Sequence, residues 1–389
     1  MSEWKKVKLG ELYEVHNGLS KGRQFFGTGF PFLTFSNVFN NWFLPNQLES
    51  LVQTTDKERE ACSIKAGDVF ITRTSETMDE LGMSSVALKD YPNATYNGFT
   101  KRLRPITDRV NPRYIGYYLR TPKFRGQFMA FSSMTTRASL ANSDLLNMEV
   151  ELPPMETQHR IATILSRYDS LIENYQKQIK LLEEAAQRLY KEWFIDLHFP
   201  GYENANIIEG VPEGWEKNSV DSIYNIKYGK NLSTKLITDT GLYPVYGANG
   251  VIGYYDKANC NEQVVLITSR GNGSGDVLMT YHKDTFITNN SFIVTPSEGF
   301  EYCKLPFTFQ FLQMANFRAV RTGAAQPQLT NQSIHTVDVV LPDKKLIEQF
   351  CSATIEMNDT IIKYREQLRL LTEARDRLLP KLMNREIEI

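Results

Sequence analysis

The chain lacks any apolar run approaching the ~20 residues that a membrane-spanning helix needs, so no helical membrane anchor is expected. Its first 20 residues lack a basic-then-apolar secretory signal, because Glu3, Glu11 and Glu14 interrupt the pattern. The cysteines are few and scattered (Cys62, Cys260, Cys303 and Cys351), with no close pair for metal or redox work. These absences together predict a cytoplasmic protein with reduced thiols. His16, His159, His198, His282 and His335 show no i, i+4 ligand spacing. No Gly-x-x-x-x-Gly-Lys-Ser/Thr phosphate loop is present. Gly271–Gly275 is glycine-rich, but the strand-like Asp276–Tyr281 follows it, which favours a turn, with a phosphate nest as the alternative. An amino-methyltransferase needs an Asn/Asp-Pro-Pro-aromatic loop, and Leu152-Pro153-Pro154-Met155 has neither the polar amide nor the aromatic. A metal-dependent nuclease needs clustered carboxylates on a strand. Pro342-Asp343-Lys344-Lys345 sits instead at a helix entry and reads as an N-terminal cap. The expectation is a binding protein rather than an enzyme.

A large excess of one charge is also missing, since the net charge is −1 over 389 residues. The distribution is less even. Residues 1–152 hold 19 Lys/Arg against 16 Asp/Glu, while residues 197–342 hold 10 against 13. Lys101, Arg102, Arg104, Arg109, Arg113, Arg120, Lys123, Arg125 and Arg137 crowd one stretch, opposed only by Asp108. Such clustering reads either as an electrostatic footprint for phosphate or as a solvated basic face.

What the chain does contain is itself, twice. Leu140, Asn142, Leu152, Pro153, Tyr175, Gln178, Leu181, Leu182, Glu184, Ala185, Arg188 and Leu189 recur without a gap 189 positions later, as Leu329 through Leu378. Trp4, Tyr13 and Gly18 recur at an offset of 211, as Trp215, Tyr224 and Gly229. The chain is a tandem duplication, its first copy 22 residues longer than its second. Two similar bodies with an internal pseudo-two-fold are therefore expected.

Residues 155–195 contain no Gly or Pro and are rich in helix formers. A heptad reading gives Ile161, Leu165, Tyr168, Ile172, Tyr175, Ile179, Leu182, Ala186, Leu189 and Trp193. In the second copy it gives Phe350, Thr354, Met357, Ile361, Tyr364, Leu368, Leu371, Arg375, Leu378 and Leu382, with only Thr354 and Arg375 out of character. Alternating spacings of four and three make coiled-coil seams. Two such seams most simply bury each other, as helices of ~40 residues and roughly 60 Å. Pro153-Pro154 and Pro342 fix the entries, and Pro380 weakens the last turn of the second helix.

The remaining segments are short β-branched and aromatic runs such as Asp68–Thr72, Val264–Thr268 and Phe286–Val294, separated by Gly, Asn, Asp and Pro. They predict two α/β bodies with irregular sheets and short helices near Pro112–Leu119 and Lys304–Phe317. Thr34–Asn46 and Gly241–Tyr255 are expected to be long loops. The predicted organisation is a β-rich body at 1–152, a helix at 153–198, a second body at 199–342 and a second helix at 343–389.

Several of these residues form a familiar set. Trp4, Leu9, Leu12 and Tyr13 open the unit, and Leu152-Pro153-Pro154-Met155 through Ala162 closes it before the helix. The second copy holds Tyr243 through Tyr254 and Gln326-Pro327-Gln328-Leu329-Thr330. Over essentially its whole length the chain resembles the specificity subunit of type I restriction-modification enzymes. It departs from that pattern in lacking a second proline after Pro342, and in having Arg137-Ala138-Ser139-Leu140 where the second copy keeps Gln-Pro-x-Leu.

The resemblance implies two target-recognition domains held apart by an antiparallel helix pair. Each would read one half of a split site in double-stranded DNA. The helices would dock two methyltransferase (modification) subunits carrying S-adenosylmethionine, and indirectly the restriction subunits that use ATP and Mg. The chain itself would hold no catalytic residue, metal or cofactor. Candidate DNA contacts in the first body are Lys21, Arg23, Arg73, Thr74, Lys101, Arg102 and Arg137. In the second they are Lys235, Tyr246, Asn249, Ser269, Arg270, Asn272, Arg321, Gln326 and Gln328, since Arg suits guanine and Asn or Gln suits adenine. A methylation-only or fused type I-like system fits the same residues. A protein scaffold that binds no DNA and a stand-alone enzyme with degenerate motifs are the readings from other classes.

Overall fold

The computed structural model describes residues 4–75, 81–131, 138–208, 210–323, 327–387 and 389. The chain divides into two compact units, residues 1–172 with 370–389, and residues 173–369. Each unit contains one β-rich body and one end of each long helix.

In the first unit a four-stranded antiparallel sheet runs in the order Tyr13–Asn17, Thr100–Pro105, Val69–Thr72, Ser84–Val86. Beside it Phe26–Leu33 pairs antiparallel with Leu51–Val52 and parallel with Thr95–Tyr96. A two-stranded ladder of Lys5–Lys8 with Glu149–Leu152 ties the start of the body to its end. The second unit repeats this plan strand for strand. Its four-stranded sheet runs Tyr224–Tyr228, Ser291–Pro296, Val265–Thr268, Val277–Met279. Tyr243–Gly247 pairs antiparallel with Gly250–Tyr255 and parallel with Phe286–Ile287, and Glu216–Ser219 pairs with Asp338–Leu341. The duplication seen in a few dozen residues therefore extends to these main sheets.

Gly18 and Gly229, which echo each other in sequence, show why. A Cβ on Gly18 would lie 2.0 Å from the Asn97 carbonyl oxygen, and one on Gly229 would lie 2.3 Å from the Thr288 carbonyl oxygen. Only glycine lets the chain cross that carbonyl so closely.

Short helices span Pro112–Tyr118 and Leu305–Met314, where the sequence places them. Two expected loops are not simple loops. Thr34 and Asn37 form a capping box that starts a helix at Phe35–Asn40. Residues 243–255 form a hairpin around Asn249-Gly250, a turn pair whose hairpin signal outweighs the turn-dense composition.

The long helices are Met155–Phe194 and Lys344–Met383, and the second runs through Pro380. Asp343 caps the second, its Oδ1 accepting from the Lys345 N–H at 2.9 Å. Within each unit the helix ends lie antiparallel. In the second unit Tyr175 meets Tyr364 at 4.9 Å between ring centres, and Tyr190 meets Phe350 at 5.7 Å. In the first unit Ile161 and Leu165 share a core with Leu379 and Leu382. Ile161, Leu165, Ile172, Ile179, Phe350 and Ile361 are buried. Tyr175, Leu182, Leu189, Met357, Tyr364, Leu368, Leu371 and Leu378 are half-buried. Thr354, out of character in the heptad, is buried with its hydroxyl donating to the Phe350 carbonyl at 2.8 Å.

Among the described residues no helix is long and apolar enough to cross a membrane.

Candidate nucleic-acid interface

Strand Val265–Thr268 is apolar until Thr268, where the chain turns out of the sheet into a loop. Backbone hydrogen bonds close that loop on itself: the Thr268 N–H donates to the Asp276 carbonyl, and the Gly275 N–H to the Thr268 carbonyl, each at 2.8 Å. The next residue gathers two further segments. The Ser269 N–H donates to the Asn290 carbonyl, and the Ser269 carbonyl accepts from the Leu329 N–H. Lys230 then joins from a fourth segment, donating its N–H to the Ile287 carbonyl. The Thr268 hydroxyl adds the hairpin turn by donating to the Ala248 carbonyl at 2.7 Å.

This convergence brings Asn249, Arg270, Asn272, Arg321 and Gln328 to one edge of the second body. Arg270 and Gln328 bridge through their backbones, and Arg321 Nη1 donates to the Asn272 carbonyl at 3.3 Å. Asn249, Arg270, Asn272 and Gln328 are exposed, and Arg321 is half-buried. Two other candidates serve the scaffold. Ser269 is buried and its hydroxyl donates to the Asn289 carbonyl. Tyr246 is buried, and its hydroxyl accepts from the Tyr281 N–H at 3.0 Å. Lys235 is exposed on its own short turn, Thr234–Leu236.

The first body repeats the construction with different side chains. The Gly82 N–H donates to the Thr72 carbonyl, the Arg73 N–H to the Phe99 carbonyl, the Leu140 N–H to the Arg73 carbonyl, and the Leu19 N–H to the Tyr96 carbonyl. Arg73 thus occupies the place of Ser269, and Phe99 that of Asn290. Thr74 lies on a two-residue strand whose backbone pairs with Ala138–Ser139. Arg137 and Gln326 lie outside the described residues. Lys21 is 2.8 Å from Glu58, and Arg23 is exposed on the turn that follows.

Lys101 and Arg102 are corrections, because the structure puts both inside the body. Lys101 is 4% and Arg102 2% exposed. Lys101 donates to Asn142 Oδ1, and burial followed by the neighbouring Arg73 charge pushes its ammonium below the ordinary lysine range. Arg102 Nη1 donates to the Ser63 carbonyl at 2.7 Å. The basic run is spent internally in the same way elsewhere. Arg104 grips Asp68 with two hydrogen bonds, at 2.9 and 2.7 Å. Arg120 holds the carbonyls of Ser84, Val38, Phe39 and Asn41, and burial pushes it down to about 10. A cluster in sequence is not a patch on the surface, so only its exposed members, such as Arg109 and Arg113, remain available to phosphate.

Two residues at these edges were missed. Lys230 is exposed beside the second cluster, and the Gly229 echo one position earlier was the signal for it. Phe99 is 59% exposed beside Arg73, and the Asn97-Gly98 turn before it marked the spot. Among the described residues no group of three or more His, Cys, Asp or Glu could hold a metal ion.

Comparison with known proteins agrees with this architecture. The sequence model of the family described as type I restriction modification DNA specificity domain matches residues 1–184 and 212–367. The MjaIX specificity subunit, of a type I restriction enzyme of Methanocaldococcus jannaschii, is 25% identical over 420 aligned positions, covering all of this chain and 94% of that protein. The HindI specificity subunit of Haemophilus influenzae is 21% identical, with both chains fully covered. The crystal structure of a type I restriction-modification S subunit from M. genitalium superposes with a TM-score of 0.60 over 98% of this chain and 96% of that one. At 17% identity that last likeness speaks for the fold alone.

Proposed function

The chain belongs to the type I restriction-modification DNA specificity family and is the non-catalytic, target-recognising subunit of such a system; from that premise we propose that residues 1–152 and 199–342 each read one half of a bipartite site in double-stranded DNA. The observation that carries this is the loop cluster built at the same sheet edge of both bodies. Its backbone is kept and its side chains differ, with Arg73 against Ser269 and Phe99 against Asn290. A constant frame with variable side chains suits two readers of unlike sequences.

Recognition then divides by chemistry. Arg270 and Arg321 present guanidiniums suited to the O6 and N7 of guanine, while Asn249, Asn272 and Gln328 present amides suited to adenine. Exposed lysines such as Lys230 neutralise phosphates and hold register without reading bases. DNA and a methyltransferase are the partners of the chain. In finer detail, the helices of residues 153–198 and 343–389 dock two modification subunits and fix the gap between half-sites. S-adenosylmethionine sits on those subunits, and ATP and Mg on the restriction subunits of a full complex in the cytoplasm. This chain carries no cofactor.

The test is binding by the chain reconstituted with its modification subunits, measured on duplexes at several salt concentrations. Affinity should fall log-linearly with salt, each phosphate contact contributing a slope of about −0.9, and one duplex should be preferred at every salt. A complex with no DNA affinity at any salt would favour the protein-scaffold reading.

A further inference from the structure

We propose that Arg375 and Arg365 are positioning residues that fix the angle at which each reading body sits on its end of the helix pair, and that they thereby set the gap accepted between half-sites. The proposal rests on the reading of two half-sites given above.

In the first unit Arg375, on the second helix, puts Nη1 2.9 Å from Oδ1 of Asp169 on the first helix. The other Asp169 oxygen accepts from the Tyr117 hydroxyl of the body. The Arg375 guanidinium lies 5.2 Å from the ring centre of Trp42, and Arg120 lies 5.5 Å from the same ring. Arg120 in turn holds the carbonyls of Val38, Phe39 and Asn41 in the segment that leads into Trp42. Helix, helix and body thus meet at one guanidinium. In the second unit Arg365 does the same work. It pairs with Glu183 of the first helix at 2.7 Å and lies 3.8 Å from the ring centre of Tyr281. The Tyr281 N–H donates to the hydroxyl of Tyr246, on the strand that leads to Asn249. Seating and reading are linked by three contacts.

The two clamps are not copies of one ancestral clamp. At the 189-residue offset, Asp169 and Arg375 correspond to Asn358 and Ala186, whereas Glu183 and Arg365 correspond to Thr372 and Gln176. An arginine from the second helix, a carboxylate from the first and an aromatic from the body were therefore assembled twice from different positions. Arg375 also stands at a heptad position where an apolar residue would pack. Partly buried ion pairs often add less stability than apolar residues of similar volume, so their retention speaks for defined geometry. Arginine suits that task because its flat fork pairs and stacks at fixed angles.

The experiment is a methylome of cells expressing the modification subunit with wild-type chain, Arg365→Leu, Arg365→Lys or Arg375→Leu, alongside melting curves of the purified complexes. Leucine strands the partner carboxylate and should lower the melting temperature of the complex while leaving both half-site sequences unchanged. Methylation at sites whose gap is one base pair too long or too short should rise by about tenfold relative to the proper gap, with lysine in between. Reduced stability with gap discrimination intact would overturn the proposal and leave the arginines merely structural. Unchanged stability and unchanged gaps would overturn it too. If a leucine variant fails to assemble, Tyr117→Phe removes one hydroxyl and keeps the ring, and the same relaxation is expected. Failure of the bipartite reading would show separately, as the absence of a split motif in wild type.

Discussion

Arg270 and Arg102 carry the same side chain and face opposite fates. Arg270 leaves its strand into solvent, whereas Arg102 turns inward and gives its guanidinium to the carbonyl of Ser63. Residue type and strand position nominated both, and only tertiary packing separates them. Replacing Arg270 with alanine should weaken binding by about 1–3 kcal/mol and relax one base position in one half-site, as read by binding to single-base variants of the target. Replacing Arg102 should instead lower folding stability by about 1–3 kcal/mol, because a buried carbonyl loses its donor, and leave the recognised sequence unchanged. A second residue-scale expectation concerns acid. The neighbouring Ser219 hydroxyl, and the His335 ring whose Nδ1 pairs with its Oδ2, hold the Asp221 carboxyl below its ordinary value of 3.8. The folded state therefore favours the charged form, so its stabilisation is present above that value and is lost as pH falls through the lower, folded one. Chemical denaturation should show Asp221→Asn losing part of the stability decline that the wild type suffers below about pH 4.

At the scale of elements the helices were the most legible part. Their heptads name a seam that needs no knowledge of the bodies, and the buried Ile172 and Ile361 lie on it. Ile361→Ala should cost about 2–5 kcal/mol of unfolding free energy. Leu181→Ala, on a side chain 54% exposed, should change it by less than about 0.5 kcal/mol. Less legible were the ends of the helices, where Tyr190 and Phe194 join the core of the second body, because a heptad cannot say what a helix end packs against. Arg375 was readable only as an irregularity, since its meaning depends on Asp169, Tyr117 and Trp42, all distant in sequence. The basic run of residues 101–125 misled for a related reason. Strand alternation and helix burial turned Lys101, Arg102 and Arg120 toward carbonyls and amides that only the fold supplies. The reading loops were found where turns follow strands, but the partners that close them, such as Asn290 for Ser269, follow from topology.

For the whole molecule, duplication is the fact from which the function follows. One unit, copied with its sheet orders and loop closures intact, yields two frames whose side chains have diverged at the edge where bases would be read. Two unlike half-sites are the proposed product of that divergence. The measurement that tests this most directly is single-molecule methylome sequencing of cells expressing the chain with and without its modification subunit. Methyladenine that depends on both proteins, at two short unlike motifs separated by a constant ~5–8 base pairs, is the predicted result for half-sites whose centres lie about one turn of duplex apart. A single continuous motif, or methylation that persists without this chain, would contradict the account.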